Sequence, residues 1–233
     1  LDVIPLVPMK RRAAYFIDYI VQKLKSTITE EEIITGGYRI YTTLDPQMQD
    51  AAEKAFETFT GGTPDANKVM QPQAALIALD PRNGYIKAMI GGRDFGNTQL
   101  NRAVDAYRQV GSAIKPFVYT AAIDSRQFTP SSLMVDEPIE FHVPQGVWAP
   151  RNYDDKFRGA IMLRQALEDS VNIIAVKLVE SLGPSRVIKY ARQMGLTNLI
   201  VSGEPNDLNF SSMALGGLTK GATPLELASA YTP

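Results

Sequence analysis

The sequence predicts an α+β fold, and three observations lead there. Two apolar runs, residues 73–79 and 85–90, flank Asp80-Pro81-Arg82-Asn83-Gly84. Asn-Gly at such a turn is a strong hairpin signal, because both residues tolerate positive φ. Helical periodicity then dominates residues 163–194, broken at Gly183-Pro184 and Gly195. Between them, residues 126–159 hold four prolines and run too long for a simple connector. No internal repeat is present. A length of 233 residues suffices for one large domain, or a domain with a smaller module, around a sizeable core.

The elements follow in order. Residues 12–25 place Ala13, Phe16, Ile17, Ile20, Val21 and Leu24 at helical spacing, an amphipathic helix. Residues 29–34 are short and acidic, one more helical turn whose Glu30-Glu31-Glu32 forms a solvated face. Gly36-Gly37 breaks the chain, and residues 38–43 alternate like a strand. Asp45-Pro46 is an N-cap with proline at the first helical position, opening a helix to about Phe59. Residues 61–72 are rich in Gly, Pro, Asn and Asp and read as a linker. A boundary there separates a small module, residues 1–70, from a second domain, residues 71–233. Gly91-Gly92 ends the hairpin, a polar loop runs to Gly111, and a helix spans 112 to about 125. Further helices are expected over 163–168, 173–182 and 185–194. Thr223-Pro224-Leu225-Glu226 is a capping box that starts a last one.

Composition excludes several classes of function. With 24 Lys+Arg against 25 Asp+Glu, the chain lacks the basic surplus that nucleic-acid binding requires. There is no cysteine, hence no disulfide, thiolate metal site or cysteine nucleophile. A single histidine rules out a multi-histidine zinc site. That residue, His142, lies in the alternating Phe141-His142-Val143 and reads as a surface position, not a base. Catalysis must therefore rest on Ser, Lys, Tyr, Asp or Glu. No segment reaches the roughly 18 uncharged apolar residues of a membrane span; residues 171–179 come nearest, and Lys177 interrupts them. The chain does not begin with methionine and shows no signal-peptide pattern, so it is expected to be an excised piece of a longer protein.

Two short patterns bear on chemistry. Ser112-Ala113-Ile114-Lys115 sets a hydroxyl and an amine one helical turn apart, with Pro116 marking a helix start beside them. A desolvated lysine there can lose its proton and accept one from the serine. Ser170-Val171-Asn172 follows at a break between helical patterns, where a hydroxyl and a carboxamide can face one cavity. Composition alone yields about half a pair of each kind by chance, and the bland reading of each serine is a helix cap. Their joint occurrence, in order and each at a helix edge, is the stronger signal. Gly91-Gly92 and Gly216-Gly217 are turn glycines, since no Lys-Ser or Lys-Thr follows at phosphate-loop spacing.

These elements resemble the penicillin-binding proteins, a superfamily marked by Ser-x-x-Lys and Ser-x-Asn. The resemblance extends beyond the two motifs. Gln73-Ala74-Ala75-Leu76-Ile77-Ala78-Leu79-Asp80-Pro81, Met89-Ile90-Gly91-Gly92-Arg93-Asp94-Phe95, Asn101-Arg102-Ala103, Gly111-Ser112-Ala113-Ile114-Lys115-Pro116-Phe117, Trp148-Ala149-Pro150-Arg151-Asn152-Tyr153-Asp154 and Ala214-Leu215-Gly216-Gly217 look like successive blocks of the class A, bifunctional type. Residues 37–45 resemble the segment joining that family's glycosyltransferase and transpeptidase domains. The resemblance implies a penicillin-binding-protein/serine β-lactamase-like fold, an antiparallel sheet flanked by helices and incomplete at its C-terminal end.

It also implies a D,D-transpeptidase acting on peptidoglycan stem peptides that end in D-Ala-D-Ala. Ser112 would be the nucleophile, Lys115 its base, Ser170 a proton relay and Asn172 a hold on the substrate amide. β-Lactams would acylate the same serine, and no metal or organic cofactor is implied. Trp148, Asn152 and Tyr153 are candidates to line the substrate cleft, with core packing the alternative for Trp148 and loop hydrogen bonding the alternative for Asn152 and Tyr153. The family's third motif, Lys-Thr-Gly or Lys-Ser-Gly, is missing, and Thr219-Lys220-Gly221 has the wrong order. A complete site is therefore expected to need the remaining C-terminal part of the transpeptidase domain, as a second chain. Localisation would be the outer face of the bacterial cytoplasmic membrane, through an anchor outside this chain. A serine β-lactamase and a non-catalytic wall-binding scaffold of the same fold are the rival readings.

Overall fold

The computed structural model describes residues 12–59, 61–143 and 146–233. They form two compact units: the described residues up to Ala106 with Thr223–Pro233, and Tyr107–Ala222.

The first unit begins with helix α1, Ala14–Leu24, which buries Tyr15 and Phe16. Helix α2, Glu30–Thr35, opens on a reciprocal capping box between Thr29 and Glu32. Helix α3, Pro46–Glu57, starts where the Asp45 carboxylate accepts the Gln47 and Met48 N–H groups. Two-residue strands β1, Thr63–Pro64, and β2, Met70–Gln71, pair within the linker-like segment. The hairpin strands are β3, Leu76–Asp80, and β4, Tyr85–Ile90, antiparallel with Leu76 opposite Ile90. Helix α3 docks on β4 through buried Gln49, whose carboxamide accepts from Met89 N at 2.9 Å and donates to Met89 O at 3.2 Å. It thereby satisfies the strand's backbone as a neighbouring strand would. Phe16, Met89 and Ala103 form one apolar cluster with Leu44, Ile77 and Ile86 around them; Ala52, Ala88 and Ile90 form another. Helix α4, Arg102–Asp105, is capped by Asn101.

In the second unit a 3-10 helix, Gly111–Ile114, runs directly into α5, Lys115–Asp124. Strands β5, Leu133–Asp136, β6, Phe141–Val143, β7, Gly146–Trp148, and β8, Gly159–Met162, follow. They form two separate antiparallel ladders, β5 with β8 and β6 with β7. Helices α6, Leu163–Glu168, α7, Asn172–Leu182, α8, Pro184–Gln193, and α9, Phe210–Leu215, complete the unit. Helix α7 is apolar on nearly every side, burying Ile173, Ile174, Ala175, Val176, Leu178 and Val179, as a central core helix must. It packs against α5, α8 and α9. Helix α10, Pro224–Ala230, capped by Thr223, returns to the first unit and packs on β3 and α4.

Four sequence expectations are corrected. Residues 38–43 form no strand; near β4, Thr43 Oγ1 donates to Ile86 O and Asp45 N to Lys87 O, with no ladder among the described residues. The hairpin turn is a four-residue loop in which Gly84 alone has positive φ. Asp80 stabilises it by accepting from the Arg82 backbone and guanidinium. The polar loop before Gly111 contains α4. The proline-bearing stretch 126–159 contains β5, β6 and β7; the alternation at Phe141-His142-Val143 falls on β6, while β5 and β7 are too short for periodicity to reveal.

Candidate active site

Ser112, Lys115, Ser170, Asn172, Trp148, Asn152 and Tyr153 all lie in the second unit. Lys115 is the first residue of α5 and one of the most buried side chains, 1% exposed. Its Nζ donates to Ser170 O at 2.5 Å, Ser170 Oγ at 3.0 Å and Asn172 Oδ1 at 2.7 Å. Three acceptors match the three hydrogens of an ammonium. Burial nevertheless pulls the amine down from its usual 10.5 to about 8. A lysine with this titration is protonated in its resting contacts yet can supply a neutral amine near physiological pH.

Ser112 sits one turn before Lys115 in the 3-10 segment, and its side chain is exposed. It is not a cap: neither the 3-10 helix nor α5 carries a side-chain cap bond. Gly111 before it has φ +53 and packs backbone to backbone against Gly216, itself at φ +72. A Cβ on Gly216 would stand 2.1 Å from Gly111 O. Gly216 thus permits the end of α9 to close on the turn that carries Ser112.

Ser170 occupies a strained position. It follows α6 with φ +54; its N–H bonds Leu167 O, and the N–H of Val171 bonds Ala166 O. That is a Schellman ending with serine where glycine is the usual residue. A serine there costs about 1 kcal/mol in backbone strain, and what it supplies is a hydroxyl against Lys115. Asn172 begins α7, and its Nδ2 donates to Arg151 O at 2.8 Å while Oδ1 faces Lys115.

The remaining candidates fare differently. Trp148 is half-buried and stacks on its cross-strand partner Phe141 at 5.5 Å, with Phe210 on Phe141. Tyr153 is fully exposed. Asn152 does not line a cleft. It is 5% exposed, and its carboxamide is engaged internally with Asp136, Lys156 O and the start of α7. His142 is an exposed residue of β6, as the sequence predicts. Among the described residues, no group of three acidic or histidine side chains could hold a metal.

Residues 74–233 match the penicillin binding protein transpeptidase domain family. The chain belongs to that family. Relatives of the transpeptidase domain include penicillin-binding protein 2D of Bacillus subtilis (strain 168), 36% identical over 228 residues, covering 95% of this chain and 30% of that protein. Penicillin-binding protein 1A of Neisseria lactamica is 42% identical over 243 residues, covering 94% and 29%. The chain thus spans under a third of the curated relatives it matches. Among solved structures, penicillin-binding protein 1A from Haemophilus influenzae superposes with a TM-score of 0.81 at 23% identity, over 95% of this chain and 46% of that one. That likeness shows the shared fold. The PonA1 protein from Mycobacterium tuberculosis in complex with penicillin V gives a TM-score of 0.78 at 26% identity, over 95% and 58%.

Within this transpeptidase domain, Thr219-Lys220-Gly221 is a loop and not a third motif. Thr219 N bonds buried Asp207, and the Lys220 ammonium lies over the Tyr107 ring and bonds Asn198. Sequence reasoning missed Asp136 altogether. The only signal was an aspartate ending an apolar tetrapeptide, and nothing in the order of residues shows that its carboxylate turns inward.

Proposed function

We propose that this chain is the serine-bearing part of a peptidoglycan D,D-transpeptidase that is acylated by β-lactams. The observation that carries the reading is a buried lysine of lowered pKa, one turn from an exposed serine, held by Ser170 and Asn172. Ser112 Oγ attacks the penultimate carbonyl of a stem peptide ending in D-Ala-D-Ala, and its proton passes to neutral Lys115. The tetrahedral carbon then expels D-alanine, whose nitrogen takes a proton relayed through Ser170. An amine of a neighbouring strand resolves the ester into a cross-link; water in its place gives carboxypeptidase activity. Trp148 and Tyr153 contribute to the peptide cleft. The backbone N–H of Ser112 is one oxyanion donor. The other, with the Lys-Thr-Gly or Lys-Ser-Gly that binds the substrate carboxylate, comes from a further segment, as a continuation or a second chain. A glycosyltransferase domain and a membrane anchor complete the bifunctional protein on the outer face of the cytoplasmic membrane.

A fluorescent penicillin, incubated with the full-length protein and resolved on a denaturing gel, tests the reading. A stable adduct lost in Ser112→Ala supports the transpeptidase. Rapid turnover of the adduct points to a β-lactamase, and absence of any adduct to a scaffold.

A further inference from the structure

Helix α7 starts without a cap of its own. Its N-cap residue is Val171, whose side chain has no acceptor for the first N–H groups. The acceptor comes from 20 residues earlier: Asn152 Oδ1 takes the N–H of Asn172 at 2.9 Å and of Ile173 at 3.3 Å. The other end of the Asn152 carboxamide donates to both oxygens of Asp136 at 2.9 Å and to Lys156 O at 2.8 Å. Asp136 is buried at the end of β5 and also accepts from Arg158 N at 2.9 Å. Toward Asn152 this buried carboxylate can face only the NH2 end of the amide, which leaves the carbonyl end directed at α7.

The preceding residue grips the same target. Arg151 O accepts from Asn172 Nδ2, which sets the Asn172 amide so that Oδ1 points at Lys115. Two consecutive residues therefore hold residue 172, one by its backbone and one by its side chain. We infer that Asp136 and Asn152 are positioning residues for the reaction: they cap α7 in place of Val171 and so fix Asn172 against Lys115. The assignment rests on the proposed acyl-transfer reading for its consequence, and it replaces the expectation that Asn152 meets substrate.

Neither Asp136 nor Asn152 touches the reacting atoms; they act through the contact of Asn172 with Lys115, so the acylation rate is the main readout and any weakening of the Asn172 hold on the substrate amide is the smaller effect. A small displacement of a catalytic contact is enough to slow chemistry about 100-fold. The experiment uses the full-length protein and benzylpenicillin, separating the saturating acylation rate from the dissociation constant of the preceding complex. Asn152→Ala is expected to lower the acylation rate at least about tenfold while the dissociation constant stays within about threefold. Val176→Ala, a buried change on the same helix outside the clamp, is the stability control and keeps the rate within about threefold at a comparable drop in Tm. Asn152→Asp brings a second buried carboxylate against Asp136 and loses at least as much as Asn152→Ala. The exchanged double variant Asp136→Asn/Asn152→Asp restores one donor facing one carboxylate and recovers part of the rate, with Lys156 O still lacking its donor. Hydrogen exchange of the segment 168–176 supplies a readout independent of chemistry. Its protection falls in Asn152→Ala and returns in the exchanged pair. The inference is overturned if Asn152→Ala acylates normally, if its loss appears in the dissociation constant, if Val176→Ala loses as much, or if exchange in 168–176 does not change. An unacylated wild type would instead refute the transpeptidase reading, with the exchange data still deciding the clamp.

Discussion

Acylation should follow the titration of Lys115. The lysine is 1% exposed, and burial lowers its pKa to about 8. If the neutral amine takes the Ser112 proton, roughly a tenth of the enzyme is competent at pH 7, half at pH 8 and nine-tenths at pH 9. The acylation rate of the full-length protein by benzylpenicillin, measured by stopped flow from pH 6 to 9.5, is therefore expected to rise about tenfold between pH 7 and its plateau, with a midpoint near 8. Lys115→Arg keeps the charge but cannot be deprotonated, so acylation should be lost at every pH. The stability counterpart has a fixed sign. A folded pKa of about 8 against an unfolded 10.5 means that the unfolded chain binds more protons between those values. Stability relative to Lys115→Met should then rise with pH across that window by about 3 kcal/mol. A rate that is flat between pH 7 and 9, or a Lys115→Arg variant that acylates normally, would refute the assignment of Lys115 as base.

Four further outcomes are expected. Ser112→Ala should abolish fluorescent-penicillin labelling while changing stability by no more than about 0.5 kcal/mol, because Ser112 caps no helix; mass mapping of any residual label checks this. Ser170→Gly should leave Tm unchanged or slightly higher, relieving a left-handed serine, yet acylate far more slowly for want of the hydroxyl on Lys115. Gly216→Ala should cost at least about 2 kcal/mol in urea unfolding, since its Cβ meets Gly111 O at a positive φ that alanine resists; a neutral result would contradict the close packing behind the nucleophile turn. Residues 1–233 expressed alone should acylate about 100-fold or more below the same fragment supplied with the downstream Lys-Thr-Gly segment in trans, reflecting one missing oxyanion donor.

What the sequence determined by itself was local. Asp45-Pro46 and Thr223-Pro224 opened helices where they stand, because a cap needs only residues two or three apart. Ser112 and Lys115 likewise share one turn by spacing alone. Short strands β5 and β7 escaped notice because three or four residues carry too little periodicity, and β5 forms only when β8, beyond a long loop, closes the ladder. Tertiary structure alone decided the meaning of Asn152. Its place in Arg151-Asn152-Tyr153 reads as a cleft residue, but the inward carboxylate of Asp136 and the uncapped start of α7 turn it into a buried clamp. The same holds for Lys115. A lysine near a serine is common; only enclosure by the core lowers its pKa, and only the fold brings Ser170 and Asn172 across 55 and 57 residues to meet its ammonium. Desolvation and long-range hydrogen bonds depend on what surrounds a side chain in space, a quantity that the order of residues does not contain.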